Sequence, residues 1–130
     1  MKEGHSVILC LGSNADPKKN IQWAQELLRA EYASIAFTPS IWTEPVGVVS
    51  PPYLNCLAAM TIEDNLPSLR NKTKAIERLM HSGPTERKGN IVRIDIDILS
   101  FDQQHYHGDD WNRDYVKQLI EVLPAPLHLI

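Results

Sequence analysis

The stretch RIDIDIL, Arg93–Leu99, alternates charged and aliphatic residues with a period of two. This alternation is typical of a β-strand with two different faces, because successive side chains of a strand point to opposite sides. The three isoleucines are expected to face a core, whereas Arg93, Asp95 and Asp97 are expected to share the opposite face. The two carboxylates would lie roughly 6.6 Å apart along the strand and repel each other by about 2–3 kcal/mol at an effective dielectric constant of about 20. The strand therefore predicts a positive charge or a cation beside the aspartates.

The composition indicates one folded domain over residues 1–130, since 43 % of the 130 residues are hydrophobic. A formal net charge of −3 argues against a general surface for nucleic acid or membranes. Cys10 and Cys56 lie in apolar runs without Cys-x-x-Cys spacing, so both are expected to be reduced core residues. Because no signal peptide or membrane-spanning segment is predicted, we expect a cytoplasmic protein.

Basic residues are concentrated just before the aspartate pair. Residues 70–93 hold seven of the thirteen Lys and Arg side chains, opposed only by Glu77 and Glu86. Such a run is either a solvated helix face with a polar loop or a site for an anion. The seven are Arg70, Lys72, Lys74, Arg78, Arg87, Lys88 and Arg93.

The order of apolar patterns predicts the fold. Period-two or continuous apolar runs predict strands, and the 3.6-residue period predicts helices. The predicted elements are strand Ser6–Gly12, helix Pro17–Glu31, strand Ser34–Gly47 interrupted at Pro39, strand Tyr53–Glu63, helix Asp64–His81, strand Ile91–Phe101 and helix Asn112–Leu123. This β-α-β-β-α-β order with a terminal helix predicts an α+β, ferredoxin-like sandwich, in which an antiparallel sheet carries two helices on one face and a short C-terminal helix follows.

The second helix is predicted to begin at a cap formed by Asp64 or Asn65. Its buried side is predicted to consist of Leu69, Ile76, Leu79 and Met80.

The aspartate pair and the basic run together suit Mg²⁺ and phosphate. Mg²⁺ prefers oxygen ligands and commonly uses one or two carboxylates together with substrate phosphates, and two ions can share such a pair. The alternative is an exposed strand face with alternating charge, or a simple ion pair between Arg93 and Asp95. A competing metal site at HYH, with His105 and His107 on one strand face, is weak because no third ligand is evident.

Three further segments offer groups for recognition of a ligand. TEPVG, Thr43–Gly47, is a proline-stiffened loop that can present backbone groups. YLN, Tyr53–Asn55, places an aromatic ring and an amide on one strand face, suited to stacking and to reading a heterocycle edge. HGDDWNRDYV, His107–Val116, offers an imidazole, an arginine and an aromatic ring. Ordinary cross-strand pairs and a helix cap with a core aromatic residue are the structural alternatives.

Taken in order, these motifs resemble the 6-hydroxymethyl-7,8-dihydropterin pyrophosphokinase family of the folate pathway. The resemblance runs through nearly the whole chain. It rests on LGSN (Leu11–Asn14), TEPVG, YLN, AIER (Ala75–Arg78) and RIDIDIL. It implies transfer of diphosphate from ATP to the hydroxymethyl oxygen of the pterin, with two Mg²⁺ ions and with ATP and pterin as partners.

The resemblance also implies roles for individual residues. Asp95 and Asp97 would hold the Mg²⁺ ions and act in catalysis, with Arg87 and Arg93 as candidate catalytic arginines. The pterin site would comprise Thr43, Pro45, Val46, Gly47, Tyr53, Asn55 and Tyr115, with the two tyrosines stacking on opposite pterin faces. The ATP site would comprise Lys74, Glu77, Lys88, Ile98, His107 and Arg113.

The segment SGPTERKGNIVRID, Ser82–Asp95, departs from the family pattern of Gly-Arg-x-Arg followed by Arg-Trp-Gly-Pro-Arg. Arg93 lies one residue late, which in a strand turns its side chain to the opposite face. Arg87 and Lys88 are the basic residues expected to replace the missing phosphate contacts. Because of this departure, a pterin-binding or nucleotide-binding relative without transfer activity, or a ferredoxin-like regulatory or interaction domain, stays open as an alternative.

Overall fold

The computed structural model describes residues 4–45, 47, 49–83 and 89–124. These residues form six strands and three α-helices. The strands are β1 (His5–Ser13), β2 (Ala36–Phe37), β3 (Ile41–Thr43), β4 (Tyr53–Ile62), β5 (Asp95–Phe101) and β6 (Gln104–His105), and the helices are α1 (Pro17–Glu31), α2 (Leu66–Leu79) and α3 (Asp114–Glu121).

All strand pairs are antiparallel, in the order β2-β4-β1-β5-β6, and β3 also pairs with β4. The strand predicted over Ser34–Gly47 is divided into β2 and β3 around Pro39, as expected for a residue that cannot donate a ladder hydrogen bond. Both halves lie beside β4 at one edge of the sheet. The predicted α+β, ferredoxin-like fold is confirmed.

The main core lies between the sheet and the helices α1 and α2. Ile94, Ile96 and Ile98 are all buried in it, as the alternation in RIDIDIL predicts. Leu28 of α1 and Leu69 of α2 are fully buried against the same sheet face. Apolar burial is worth about 25 cal/mol per Å², so this layer contributes much of the stability. Because the isoleucines of β5 face this core, the aspartates that alternate with them face the other side of the sheet.

The second helix agrees with its predicted cap but not with the whole of its predicted buried side. Asn65 is the N-cap, and its Oδ1 accepts a hydrogen bond from the Ser68 backbone N–H at 2.9 Å. Ile76 and Met80 are buried, whereas the prediction for Leu79 was wrong, since it is 56 % exposed. Leu69, Thr73, Ile76 and Met80 follow the spacing i, i+4, i+7 and i+11 of one buried face, and Leu79 lies off that face.

The strand predicted over Ile91–Phe101 begins later, at Asp95. Two buried polar side chains take up the backbone groups of the preceding residues: Asn14 bonds to the backbone of Val92, and Ser82 Oγ bonds to the backbone N–H and carbonyl of Ile94. These residues therefore lie in an extended segment outside the ladder. Arg93 is exposed and precedes β5.

The third helix is shorter than predicted, and the second sheet face is not fully open. A 3₁₀ turn at Asp110–Asn112 precedes α3, in place of a helix running from Asn112 to Leu123. Val116 and Leu119 of α3 pack on Ile8, Cys10, Leu57 and Leu99. The helix thus covers the middle of this face and leaves exposed the end where β4 and β5 begin and β1 ends.

The two histidines of HYH do not share a strand face. The His105 ring stacks on Trp111 with ring centroids 3.8 Å apart, whereas His107 lies beyond β6 and approaches Asp97. Among the described residues, none of the helices has the length and apolar content needed to span a membrane.

Candidate active site

Two rows of residues cross three neighbouring strands at the uncovered end of the sheet. In one row, Gly12 of β1 lies opposite Asn55 of β4 on one side and Asp95 of β5 on the other. In the next row, Cys10 of β1 lies opposite Asp97. Neighbouring strands are about 4.8 Å apart, so the amide of Asn55 and the carboxylates stand roughly 10 Å apart across the floor of a cleft.

A cavity of about 230 Å³ stands on this floor. Its walls bring together five of the seven residues predicted for the pterin site. The lining residues are Cys10, Gly12, Thr43, Glu44, Pro45, Tyr53, Asn55, Asp95, Asp97, Asp110, Arg113 and Tyr115. Gly47 has φ 75°, a conformation that glycine adopts without strain, but it is not among the lining residues, and Val46 lies outside the described residues.

The buried Asn55 side chain is held in one orientation by hydrogen bonds. Its Nδ2 group donates to Thr43 Oγ1 at 2.8 Å and is 3.4 Å from the Ile41 carbonyl oxygen. With the amide nitrogen committed to β3, the Oδ1 atom is directed toward Gly12. Asn55 therefore presents a hydrogen-bond acceptor to the cleft, which suits an N–H group on a ligand.

Tyr115 is anchored at the opposite side of the cavity. Its phenol oxygen is 3.7 Å from the Cys10 sulfur, within hydrogen-bonding reach for a sulfur atom. Burial raises the pKa of the Tyr115 phenol, so the ring is neutral, and burial likewise raises the pKa of the Cys10 thiol. Both groups are neutral and apolar in character, as suits a wall for an aromatic ligand.

The two aspartates of RIDIDIL interact electrostatically on one face of β5. Burial, followed by the charge and hydrogen bond of Asp95, raises the pKa of Asp97 to about 7, with smaller contributions from Asp110 and Glu77. A raised pKa means that the folded site disfavours the charged form of Asp97. The site therefore concentrates negative charge that a cation would neutralise.

A second cavity, of about 380 Å³, meets the first at Asp97. It lies between α2, β5 and the segment after β6. Its lining residues are Arg70, Thr73, Lys74, Ile96, Asp97, Ile98, Tyr106 and His107. Arg70 and Lys74 make this cavity positive, and the His107 Nε2 atom lies 3.8 Å from Asp97 Oδ1. Asp97 is thus shared by an aromatic, hydrogen-bonding cavity and a basic one.

Two residues predicted for the ATP site lie elsewhere. Glu77 is buried behind β5, where it accepts hydrogen bonds from the Ile96 backbone N–H at 2.8 Å and from Lys74 Nζ at 3.2 Å. Arg113 lines the first cavity, and its Nε atom is 3.2 Å from Asp110 Oδ1. Glu77 satisfies a strand group that has no ladder partner at this edge, and so positions the peptide between the two aspartates.

Of the two candidate catalytic arginines, the structure describes Arg93 alone. Arg93 is exposed and lines neither cavity, and Arg87 and Lys88 lie outside the described residues. Asp110 and Cys10 line the first cavity although sequence reasoning gave neither of them a site role. Cys10 could have been found from its strand position, two residues before Gly12 on the same face, whereas the place of Asp110 depends on the 3₁₀ turn, which leaves no clear sequence signal.

Comparison with known proteins identifies the family of this chain. No curated protein was found to match the chain. Among protein-family models, that of 7,8-dihydro-6-hydroxymethylpterin-pyrophosphokinase (HPPK) matches residues 8–125. The matched region contains both cavities and every described element except the first three residues of β1. Because the match covers nearly the whole chain, the protein belongs to the 7,8-dihydro-6-hydroxymethylpterin-pyrophosphokinase family.

Proposed function

We propose that this chain transfers a diphosphate group from ATP to the hydroxymethyl oxygen of 6-hydroxymethyl-7,8-dihydropterin. The observation that carries the proposal is the position of Asp97 between two cavities of different chemistry. Transfer between two bound substrates requires that their reacting atoms meet, and most of the rate enhancement of phosphoryl transfer comes from such positioning and from charge neutralisation. The family to which the chain belongs is named for this pyrophosphokinase reaction.

The pterin is proposed to occupy the 230 Å³ cavity. A flat bicyclic ring would stack between the aromatic rings of Tyr53 and Tyr115, which line the same cavity. Asn55 Oδ1 would accept from an N–H group at the ring edge, and Thr43 keeps the amide in that orientation. The hydroxymethyl group would then be directed toward Asp97, where the cavities meet.

ATP is proposed to occupy the 380 Å³ cavity. Arg70 and Lys74 would contact its phosphates, and Ile98 offers an apolar wall for the nucleoside. His107 stands close to Asp97 and can donate to a phosphate oxygen from its Nε2 atom. Arg87 and Lys88 are proposed to add phosphate contacts, since they belong to the same basic segment of the sequence.

Asp95 and Asp97 fit the Mg²⁺ that the family implies. Both offer carboxylate oxygens to the first cavity from one strand face, and Asp97 also lines the basic cavity. Carboxylate oxygens are the ligands that Mg²⁺ accepts beside substrate phosphates. Bound Mg²⁺ would neutralise phosphate charge and offset the repulsion between the two aspartates. The proposal includes two ions, as the resemblance implies.

In the proposed reaction the hydroxymethyl oxygen attacks the β-phosphorus of ATP. A new oxygen–phosphorus bond forms, the bond between the β-phosphorus and the bridging oxygen of the α-phosphate breaks, and AMP leaves. Asp97, which lines both cavities, is suitably placed to accept the hydroxyl proton. Two reduced, buried cysteines agree with the proposed cytoplasmic location.

The test is formation of AMP from ATP, Mg²⁺ and the hydroxymethyl dihydropterin, measured by chromatography, with omission of the pterin as the blank. We expect pterin-dependent AMP from the unmodified chain and loss of at least 100-fold in rate for Asp97→Asn, because charge stabilisation at the phosphates is lost. Asp109→Asn is the matched control, since Asp109 is exposed and lines neither cavity. No AMP combined with pterin binding, followed by fluorescence, would instead establish a binding protein without transfer activity; absence of binding to either substrate would favour an interaction domain.

A further inference from the structure

Three side chains that can ligate a metal ion lie together where the two cavities meet. The side chains of Asp97, His107 and Asp110 each offer one ligand atom, and these atoms lie within 4.8 Å of one another. They come from β5, from the segment after β6 and from the 3₁₀ turn before α3. Three separate backbone segments therefore deliver two carboxylates and one imidazole to one point.

The spacing is close to that of a bound ion. His107 Nε2 and Asp97 Oδ1 are 3.8 Å apart. Tetrahedral ligands about 2.1 Å from one ion lie roughly 3.4 Å apart. The His107–Asp97 pair must close by about 0.4 Å, and no pair by more than about 1.4 Å. The His107 side chain is 46 % exposed, so its ring can move to make this adjustment.

Asp110 has a partner that orients it. The Arg113 Nε group donates to Asp110 Oδ1 at 3.2 Å, and Arg113 follows the turn that carries the aspartate. Hydrogen bonds of this kind hold ligating carboxylates in place and are a regular part of metal sites. Arg113 therefore restricts the orientation of the Asp110 carboxylate.

The imidazole of His107 makes the ligand set of this cluster different from that of Asp95 and Asp97, which offer oxygen atoms alone. Mg²⁺ is bound through oxygen, whereas imidazole nitrogen suits Zn²⁺, Co²⁺, Ni²⁺ and related ions. We propose that Asp97, His107 and Asp110 bind one divalent transition-metal ion when no nucleotide is bound. This goes beyond the proposed transfer reaction, which needs Mg²⁺ only together with ATP phosphates.

The test uses Co²⁺ with the full chain, after treatment with a chelator and without ATP or pterin. Titration is followed by calorimetry and by the visible absorption of Co²⁺, which changes when a nitrogen ligand binds. We expect about one equivalent to bind, and we expect His107→Gln and Asp110→Asn each to weaken binding at least tenfold. A tenfold excess of Mg²⁺ should leave most of the Co²⁺ bound.

The matched controls are His105→Gln and Asp109→Asn, which alter a neighbouring histidine and a neighbouring aspartate outside the site. Both should bind Co²⁺ within about twofold of the unmodified chain. Circular dichroism verifies that each variant is folded, and a Zn²⁺ titration followed by ¹⁵N NMR of the imidazoles should shift His107 but not His105. Equal Co²⁺ affinity in His107→Gln, displacement by Mg²⁺, or no binding would overturn the proposal. Since no substrate is present, these outcomes are independent of the transferase assay.

Discussion

Gly12 and Asn55 face each other across β1 and β4 so closely that a Cβ atom at Gly12 would lie 3.1 Å from Asn55 Oδ1 and 3.7 Å from the Tyr53 ring. Because Gly12 has no side chain, its backbone forms part of the floor of the cavity proposed for the pterin. The absence of a side chain also leaves room for a ligand to reach the Asn55 acceptor. Glycine matters here for space and not for backbone conformation, since Gly12 lies in an ordinary strand.

We expect Gly12→Ala to weaken pterin binding about tenfold or more, because the methyl group displaces the Asn55 amide and occupies ligand space. The KM for ATP should change less than threefold, since Gly12 lines only the first cavity. Steady-state kinetics with each substrate varied in turn measure the two effects. Gly108→Ala is the control, because a Cβ atom there would meet nothing within 4 Å. Equal losses for both substrates would show that the substitution disturbs the sheet as a whole.

The pKa of Asp97 predicts an unusual dependence of stability on pH. In the folded chain this pKa is raised from 3.8 to about 7, chiefly by burial and by Asp95. Between these values the unfolded chain has already lost the proton that the folded chain retains. The contribution of this carboxyl to the free energy of unfolding is therefore fully present below about pH 4 and is lost as the pH rises to about 7.

Asp97→Asn should remove this dependence. Relative to the unmodified chain, the variant should gain stability steadily as the pH rises from about 4 to 7.5, because an amide carries no charge to bury. Urea unfolding at several pH values, with a chelator present, measures the difference and cancels the titration of other groups. Parallel curves for the two proteins would contradict the assignment of a raised pKa to Asp97.

The sequence was a good guide wherever one local pattern determines the structure. The isoleucines of RIDIDIL fix which face of β5 enters the core, because a period of two allows only two arrangements and one of them exposes three large aliphatic side chains. The same alternation places Asp95 and Asp97 together. Tyr53 and Asn55 likewise reach the same cavity because they share one face of β4.

Features that depend on distant partners could not be predicted in this way. β5 begins at Asp95, rather than at Ile91, because Asn14 and Ser82 bond to the backbone before it. Asp110 reaches Asp97 through a 3₁₀ turn whose sequence resembles an ordinary helix start. Glu77 looks like a surface helical residue, yet its carboxylate replaces a missing strand partner. Each depends on a side-chain contact between residues at least a dozen positions apart.

Asn14 is predicted to stabilise the segment that leads into β5. It is 4 % exposed, its Oδ1 accepts from the Val92 backbone N–H at 2.6 Å, and its Nδ2 donates to the Asn90 carbonyl at 2.7 Å. Asn14→Ala leaves these backbone groups without their partners, and should lower the free energy of unfolding by about 2–3 kcal/mol. Hydrogen exchange of the Val92 amide should become faster. Asn71→Ala, at an exposed helical position, should have almost no effect on either measurement.

Substitutions of Glu77 can distinguish a structural role of this residue from a role in nucleotide binding. Its buried carboxylate accepts from the Ile96 N–H, between Asp95 and Asp97, so that its removal should loosen β5 where the carboxylates are held. Glu77→Leu should cost about 2–3 kcal/mol of stability, because the Ile96 N–H becomes buried without an acceptor.

Glu77→Gln keeps one oxygen acceptor and should retain most of that stability. If Glu77 acts only by holding β5, the glutamine variant should also keep AMP formation within about fivefold, whereas the leucine variant should lose it together with protection of the Ile96 amide from hydrogen exchange. Glu26→Leu is the control, since Glu26 is an exposed glutamate in α1. A glutamine variant with full stability and full Ile96 protection but a large rise in the KM for ATP would instead mean that the Glu77 charge itself acts on the nucleotide, as the family resemblance implies.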